Sequence, residues 1–417
     1  MQKRLEQQIN DEKNGREIRL SGKVELNISK DVTFTIGRVC VKGIIEIKRS
    51  NIIIDGSDAE IEVNVENCTT SDWSLFYVHP IAKNVQLRNL RIRIKVLNAM
   101  HSTRMFSLVY NLANHLKLHN CQFELCSEKQ LNMAVVYNNG NLDTHLETRA
   151  DNLLIEDCIF RVQCLAETYE KASTVYGIYN YLANSISVQN TFIYAINKGK
   201  SSKQKAVGIF TNGRFGRFLG NNIKANGSHS IGREKEQACA FGFINEGLYS
   251  IITSNNIIGE WGGLSVGLEN RGEYAIISCN KILATHTICG RSLRNYGSNS
   301  TIEGNVLTST SRNARLIEHV GHNCIISKNI MEILMVRSEC RSGCGIYAIG
   351  ENCTKNIISE NIIRNVADCA IFADESVGVV SNNQIMCYAE TINRAGSNDD
   401  YIKNKIDEKN IQSIYEY

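Results

Sequence analysis

Residues 241–333 carry one unit four times over: FGFINEGLYSIITSNNIIGEW, LSVGLENRGEYAIISCNKILAT, GRSLRNYGSNSTIEGNVLTST and ARLIEHVGHNCIISKNIMEIL. Each line has an apolar run, a polar pair, a Gly, a second apolar run, an Asn and a third apolar residue. Gly247, Gly272, Gly297 and Gly321 mark one fixed place, and Asn255, Asn280, Asn305 and Asn329 mark another, roughly 24–25 residues apart. A unit this short cannot bury its apolar face alone, so it must stack on its neighbours.

The runs span about 3–5 residues, are rich in Ile, Val and Leu, and are separated by Gly or Asn turns, which is the signal of strands. None is long or periodic enough for a helix. A leucine-rich repeat would need a fixed Leu pattern and a helical half, and a propeller blade about 40–45 residues. The fold class is therefore all-β: a single-stranded parallel β-helix, a solenoid of about 12 coils. One proline in 417 residues agrees with this, because Pro removes a ladder donor.

The same unit recurs at 84–94, 115–125, 152–162 and 185–195, and again at 345–366 and 370–388. The earlier coils are longer, with polar insertions at 126–132, 141–151, 164–174, 196–206 and 226–237. Insertions in solenoids gather on one face, often the binding face, although plain surface loops tolerate them as well. Residues 2–14 read as a short polar helix with Leu5 and Ile9 as its apolar contacts, closed by Gly15. Such a helix would cap the open end of the solenoid. The expected organisation is a cap over 1–31 (helix plus strands), the β-helix over 32–407, and a C-terminal tail over 408–417.

The opening strands resemble those of pectin-lyase-like right-handed parallel β-helix proteins. The matching stretches are Ile18–Gly22, an I-x-L-x-G strand, and Asn51–Gly56, an N-I-x-I-D-G turn. The likeness then runs through the repeat over nearly the whole chain. It implies the right-handed sense of the coil and an activity on long glycans held along one groove. The local catalytic signatures of polygalacturonases and calcium-dependent pectate lyases are not found, so the likeness reaches the superfamily and no single family.

Net charge is +3 and no basic stripe runs along the chain, which argues against nucleic-acid binding. No stretch reaches the roughly 18 apolar residues of a membrane span. The start lacks the apolar core of a signal peptide. The 15 cysteines are an odd number, and Cys121, Cys158, Cys279, Cys324 and Cys369 fall at inward-looking places, so they read as small buried hydrophobes in a reducing compartment. The cluster Cys340, Cys344 and Cys353 matches no paired zinc spacing, and no metal or other cofactor is expected. These readings favour a cytoplasmic protein, or one released without classical secretion, a virion included.

Aligning coils on the Gly exposes the candidate chemistry. Two places before it stand Asn138, Asn245, Asn270, Asn295 and His319; with the row Asn221, Asn255, Asn280, Asn305, Asn329 and Asn361, these read as stacked amides bonding coil to coil. Three places before it stand Glu269, Arg294 and Glu318, and the next position along holds Glu246 and Arg271. Adjacent coils lie about 4.7–4.9 Å apart, so Glu269 and Glu318 would stand roughly 9–10 Å apart. Two carboxylates at such distances can cleave a glycosidic bond. Arg271, Arg294, His319 and Arg315 could instead serve a lyase, taking a proton and neutralising a uronate. Tyr249, Tyr274, Tyr296 and Trp261 could stack on sugar rings, and Asp374 with Glu375 forms a second acidic pair. The competing account of Glu269, Arg294 and Glu318 is an ion-pair ladder between coils.

Two functions follow. One is a polysaccharide-active enzyme, a glycoside hydrolase or lyase. The other is a non-catalytic glycan-binding or structural β-helix of the tailspike kind, for which a homotrimer is the expected assembly. They part on whether Glu246, Glu269 and Glu318 line an open groove or are paired off.

Overall fold

The computed structural model describes residues 17–28, 32–36, 39–65, 72–97, 105–140, 150–167, 172–199, 204–228, 238–285, 287–334, 342–366, 368–374, 377–386, 392–395 and 405–406. The expected capping helix, the tail over 408–417, Cys340 and Glu375 lie outside these residues.

Each coil contributes three strands, and like strands stack in parallel. The coil of residues 239–260 shows the pattern: Cys239–Asn245, Ile251–Thr253 and Asn256–Glu260. The first kind builds a 14-stranded sheet, called sheet 1. The second and third kinds build two further ladders, sheets 2 and 3, joined where the long strand Ile53–Val65 pairs with both Gln86–Arg88 and Arg91–Val96. This is a right-handed parallel β-helix. Among the described strands only Val32–Ile36 and Val39–Ile47 pair antiparallel. Glu17–Ile28, assigned to the cap from the sequence, runs parallel beside Ile53–Val65 and so lies in the stack itself. Among the described residues, no helix is long and apolar enough to cross a membrane.

Side chains alternate across each strand, so every inward position repeats as a column along the axis. Phe243, Leu268, Leu293 and Ile317 form one such column from sheet 1, Ile252, Ile277, Ile302 and Ile326 another from sheet 2, all without exposed surface. Burying each side chain contributes about 1.5–3 kcal/mol. At Gly242 of sheet 1, which faces Ile257 of sheet 3, there is room only for Gly. A Cβ on Gly242 would sit 2.5 Å from Ile257 Cγ2 and 2.6 Å from the Gly267 oxygen.

Both asparagine rows are ladders. Asn255 Nδ2 donates to Asn280 Oδ1 at 2.9 Å, and the bond repeats through Asn305, Asn329 and Asn361 to Asn383. The residue ahead of each ladder Asn turns the chain in the left-handed region, as at Ser254 (φ 58) and Cys279 (φ 56). That geometry corrects one expectation: Cys279 is exposed, because the turn aims its side chain outward, whereas Cys121, Cys158, Cys324 and Cys369 are buried.

Sheet 1 is bordered by every long insertion. Those after Gln122–Ser127, Ile159–Cys164, Phe192–Asn197 and Asn222–Asn226 lead into a sheet 1 strand, and the one after Met133–Asn139 leaves it. They occupy two corners of the coil, and both corners are edges of the same sheet.

Candidate functional site

Two outward rows run along sheet 1. Strand register places Tyr77, Tyr110, Tyr137, Tyr179, Phe210, Ile244, Glu269, Arg294, Glu318, Tyr347 and Phe372 in one line. The other line includes Val207, Phe241, Val266, Arg291 and Arg315. These side chains are outside the core: Tyr77 and Tyr110 cluster with Leu112, and Val207 with Phe241 and Val266, apart from the interior apolar residues.

The first half of the line is an aromatic column. Ring centroids step along it at 5.8 Å (Tyr77–Tyr110), 4.7 Å (Tyr110–Tyr137), 5.0 Å (Tyr137–Tyr179) and 5.1 Å (Tyr179–Phe210). Tyr176 and Tyr181 flank it, 4.5 and 6.0 Å from Tyr179. Tyr77 and Tyr110 are fully covered, while Tyr137, Tyr176, Tyr179 and Phe210 are half-buried. Burial raises the phenol of Tyr179 far above its usual range and pushes Tyr176 up to about 12, so both are neutral donors and acceptors.

The line then becomes charged. Arg271 bonds Glu246 Oε1 at 3.0 Å and Glu269 Oε1 at 2.6 Å. Arg294 bonds Glu269 Oε2 at 3.0 Å and Glu318 Oε1 at 3.2 Å. Glu318 Oε2 also receives Arg291 at 2.6 Å and Arg315 at 2.9 Å. Tyr296 hydrogen-bonds Arg294 through its hydroxyl, and Arg315 lies 3.6 Å over the Tyr347 ring. Burial works to raise the Glu318 carboxyl, but Arg294, Arg291 and Arg315 outweigh it and hold it below the usual carboxylate range. Burial lowers the Arg291 guanidinium.

The structure thus brings together Glu246, Glu269, Glu318, Arg271, Arg291, Arg294, Arg315 and Tyr296. Every carboxylate in the group is matched by guanidiniums, the arrangement of an ion-pair ladder. The Glu269 side chain is 1% exposed and sits behind its two arginines. His319 belongs elsewhere: it takes the asparagine place in the buried ladder. Asn245 Nδ2 donates to Asn270, Asn270 to Asn295, each at 2.7 Å, and Asn295 Nδ2 to His319 Nδ1 at 3.1 Å. An amide nitrogen only donates, so Nδ1 accepts and the neutral ring carries its proton on Nε2. Tyr249 and Tyr274 lie at the turn beyond the network and stack with Phe215. Trp261 stands at the opposite corner of the coil, after Asn256–Glu260. Asp374 ends the strand Cys369–Asp374.

Burial lowers His319 to about 4, against the ordinary 6.5. The folded ring resists protonation while the unfolded one accepts it, so its contribution is present above pH 6.5 and is lost as pH falls from there toward 4. We expect up to about 3 kcal/mol less stability across that window, read as a falling urea midpoint. His319→Asn keeps an acceptor for Asn295 and should flatten the profile between those pH values. An unchanged profile would remove His319 as its cause.

The aromatic column escaped the sequence reading, although a signal exists. Its residues directly precede the ladder position, in FYV (76–78), VYN (109–111), VYN (136–138), IYN (178–180) and IFT (209–211). The long insertions between these coils break the regular period that makes the central block easy to align.

The class defined by the stacked sheets is the parallel β-helix. Among solved structures the chain is similar to the A-module of the mannuronan C-5 epimerase AlgE6 of Azotobacter vinelandii (11% identity, TM-score 0.41), covering 84% of this chain and 91% of that one. It is similar also to the Dettilon tailspike protein (14%, 0.41, 81% and 62%) and to the Streptococcus pneumoniae surface adhesin PfbA (10%, 0.38, 92% and 92%). No family model and no curated protein matches it.

Proposed function

We propose that the outer face of sheet 1 binds a polysaccharide or oligosaccharide lying along the helix axis, and that the chain is a glycan-active β-helix. One observation carries this reading: a single outward line passes from closely spaced, mutually tilted aromatic rings, half-buried from Tyr137 to Phe210, into a network of guanidiniums and carboxylates, one side chain per coil. A linear polymer meets a linear site in register. Aromatic surface with neutral hydroxyls suits sugar rings, and half-exposed arginines such as Arg271 and Arg315 offer donors to hydroxyl or acidic groups.

Every carboxylate of the network is paired off, so cleavage, as the finer form of this function, falls to a cleft beside it. It holds about 300 Å³ and is lined by Tyr296, Ser298, Val320, His322, Glu351, Asn352 and Thr354. Glu318 is held ionised with both oxygens taken by arginines, so it is not the proton donor. In this reading the donor is Glu351, and His322, whose Nδ1 lies 2.7 Å from Thr354 Oγ1, stands beside it in the cleft.

The test is retention and cleavage on a panel of bacterial and plant polysaccharides, with wild type, Tyr179→Ala and Glu351→Gln. Tyr179→Ala should weaken retention by about tenfold, the loss of one stacked ring. Glu351→Gln should leave retention intact and abolish new reducing ends. Retention without cleavage would leave a binding module. A panel on which nothing is retained, or on which Tyr179→Ala behaves as wild type, would end the proposal.

A further inference from the structure

Sheet 2 carries on its outer surface a feature that the glycan reading does not use. Its first outward row runs Ile251, Ile276, Thr301, Ile325, Ile357 and Val379 in unbroken register. No charged residue interrupts it. Ile276, Ile325, Ile357 and Val379 are 45%, 42%, 42% and 47% exposed. The row beside it holds small hydroxyls at Ser278, Ser327 and Ser359, which let another surface approach closely, with Glu303 between them paired to Lys328 at 2.8 Å.

A second, independent feature continues the stripe toward the N-terminus. Phe215, Tyr249 and Tyr274 occupy the turn position just before sheet 2, with φ of 61°, 58° and 57°. Other coils place Asn51, Asn84, Asn152, Asn299 and Asn323, and also His115, Ser185 and Lys355, in that left-handed conformation. Asn accepts it readily and bulky rings do not, so each ring is held there under backbone strain. All three are about half exposed and stack on one another at 5.4 and 5.0 Å.

We propose that this stripe is an interface between copies of the chain, lying side by side along the helix axis. Three observations choose this occupant. The rings stack face on face along the axis and turn their edges outward, so they offer a sugar no open face between coils. Apart from Thr301, the side chains of the aliphatic row have no donor or acceptor to orient a polar ligand. The stripe repeats at the strand spacing of about 4.8 Å, which another β-helix matches over its length. The area is sufficient: with the bordering Leu219, Val306 and Ile330, the exposed apolar surface is roughly 800 Å², what one partner gives to a standard interface. Patches of this size mark interaction sites on soluble proteins.

The experiment is sedimentation equilibrium of the full chain, whose monomer mass is 46.7 kDa. Wild type should run at a multiple of that mass. The combined variant Ile276→Lys, Ile325→Lys, Ile357→Lys should run as the monomer with an unchanged circular-dichroism spectrum. Thr301→Lys, which puts a charge at the centre of the stripe and removes no apolar group, should weaken association in the same direction should the triple variant fold poorly. Phe192→Lys, at an exposed ring on sheet 3 outside the stripe, should keep the wild-type mass. A monomeric wild type overturns the proposal. So does a stripe variant that keeps the wild-type mass, or a Phe192→Lys that dissociates equally. A glycan bound by a monomer and lost with the triple variant would assign the stripe to the glycan and overturn it too. None of these readouts depends on glycan binding at sheet 1.

Discussion

Glu318→Leu is expected to destabilise the central coils by about 3–5 kcal/mol, the loss typical of breaking a buried ion pair from one side. Glu318 is the node of the network: its two oxygens take Arg291, Arg294 and Arg315, and its side chain is only 13% exposed. Without it, four guanidiniums face the two remaining carboxylates, Glu246 and Glu269. Arg291, itself 13% exposed, is left with bonds to the Gly290 and Asn313 oxygens only. Hydrogen exchange of the amides in residues 264–319, compared with wild type, reads the effect locally. Since the Glu318 carboxyl titrates below its usual range in the folded chain, its contribution is present above the ordinary carboxylate pKa and disappears as pH falls through the lowered one. The wild-type and variant curves should therefore converge in acid. Equal protection in both proteins at neutral pH would show that the network contributes nothing net.

Asn270→Leu is expected to cost about 2–5 kcal/mol, although the change is close to isosteric and adds apolar surface. Asn270 Oδ1 accepts from Asn245 at 2.7 Å, and its Nδ2 donates to Asn295 at 2.7 Å and to the Gly272 oxygen at 3.0 Å. Leucine leaves polar atoms of two neighbouring coils buried with fewer partners, and each such group costs about 1–3 kcal/mol. Asn299→Gly supplies the contrast, because Gly keeps the left-handed φ of 56° at that turn. Asn299 accepts from Asn323 at 2.9 Å in a ladder that lies in water, so its loss should cost less than about 1 kcal/mol. Chemical denaturation of both variants checks the pair. Similar midpoints for the two would show that burial of the inner ladder is not what makes it strong.

How much of this was legible in the sequence depends on what a row of residues must do. An inward row must be apolar at every coil, and a buried amide row must find its like one coil away. Asn255, Asn280, Asn305 and Asn329 therefore recur at a fixed place, and both the period and the ladders could be read directly. Outward rows carry no such constraint. Glu269, Arg294 and Glu318 stood out because charge interrupts an apolar pattern, but spacing alone could not say whether the carboxylates face a groove or each other. Arginine is long enough to reach across a coil in either direction, and its choice depends on three-dimensional neighbours such as Tyr296 and Arg291. The tyrosine column was invisible for a different reason: insertions of unequal length separate Tyr110, Tyr137 and Tyr179, so their common register exists only after the strands have paired.

By itself, then, the amino-acid order determined the all-β class, the solenoid, its coil repeat and the two asparagine ladders, because these follow from burial and hydrogen-bond satisfaction repeated at one interval. The sequence placed His319 both in the asparagine row and among the charges, and tertiary structure decided for the buried ladder. It separated Trp261 from Tyr249 by a corner of the coil and turned Cys279 outward. It also closed Glu269 behind two arginines and lined up Tyr77 to Phe210 on the face that the insertions border. Each of those outcomes rests on which way a side chain leaves the backbone at a turn or strand edge, and that direction is set by pairing with the neighbouring coil.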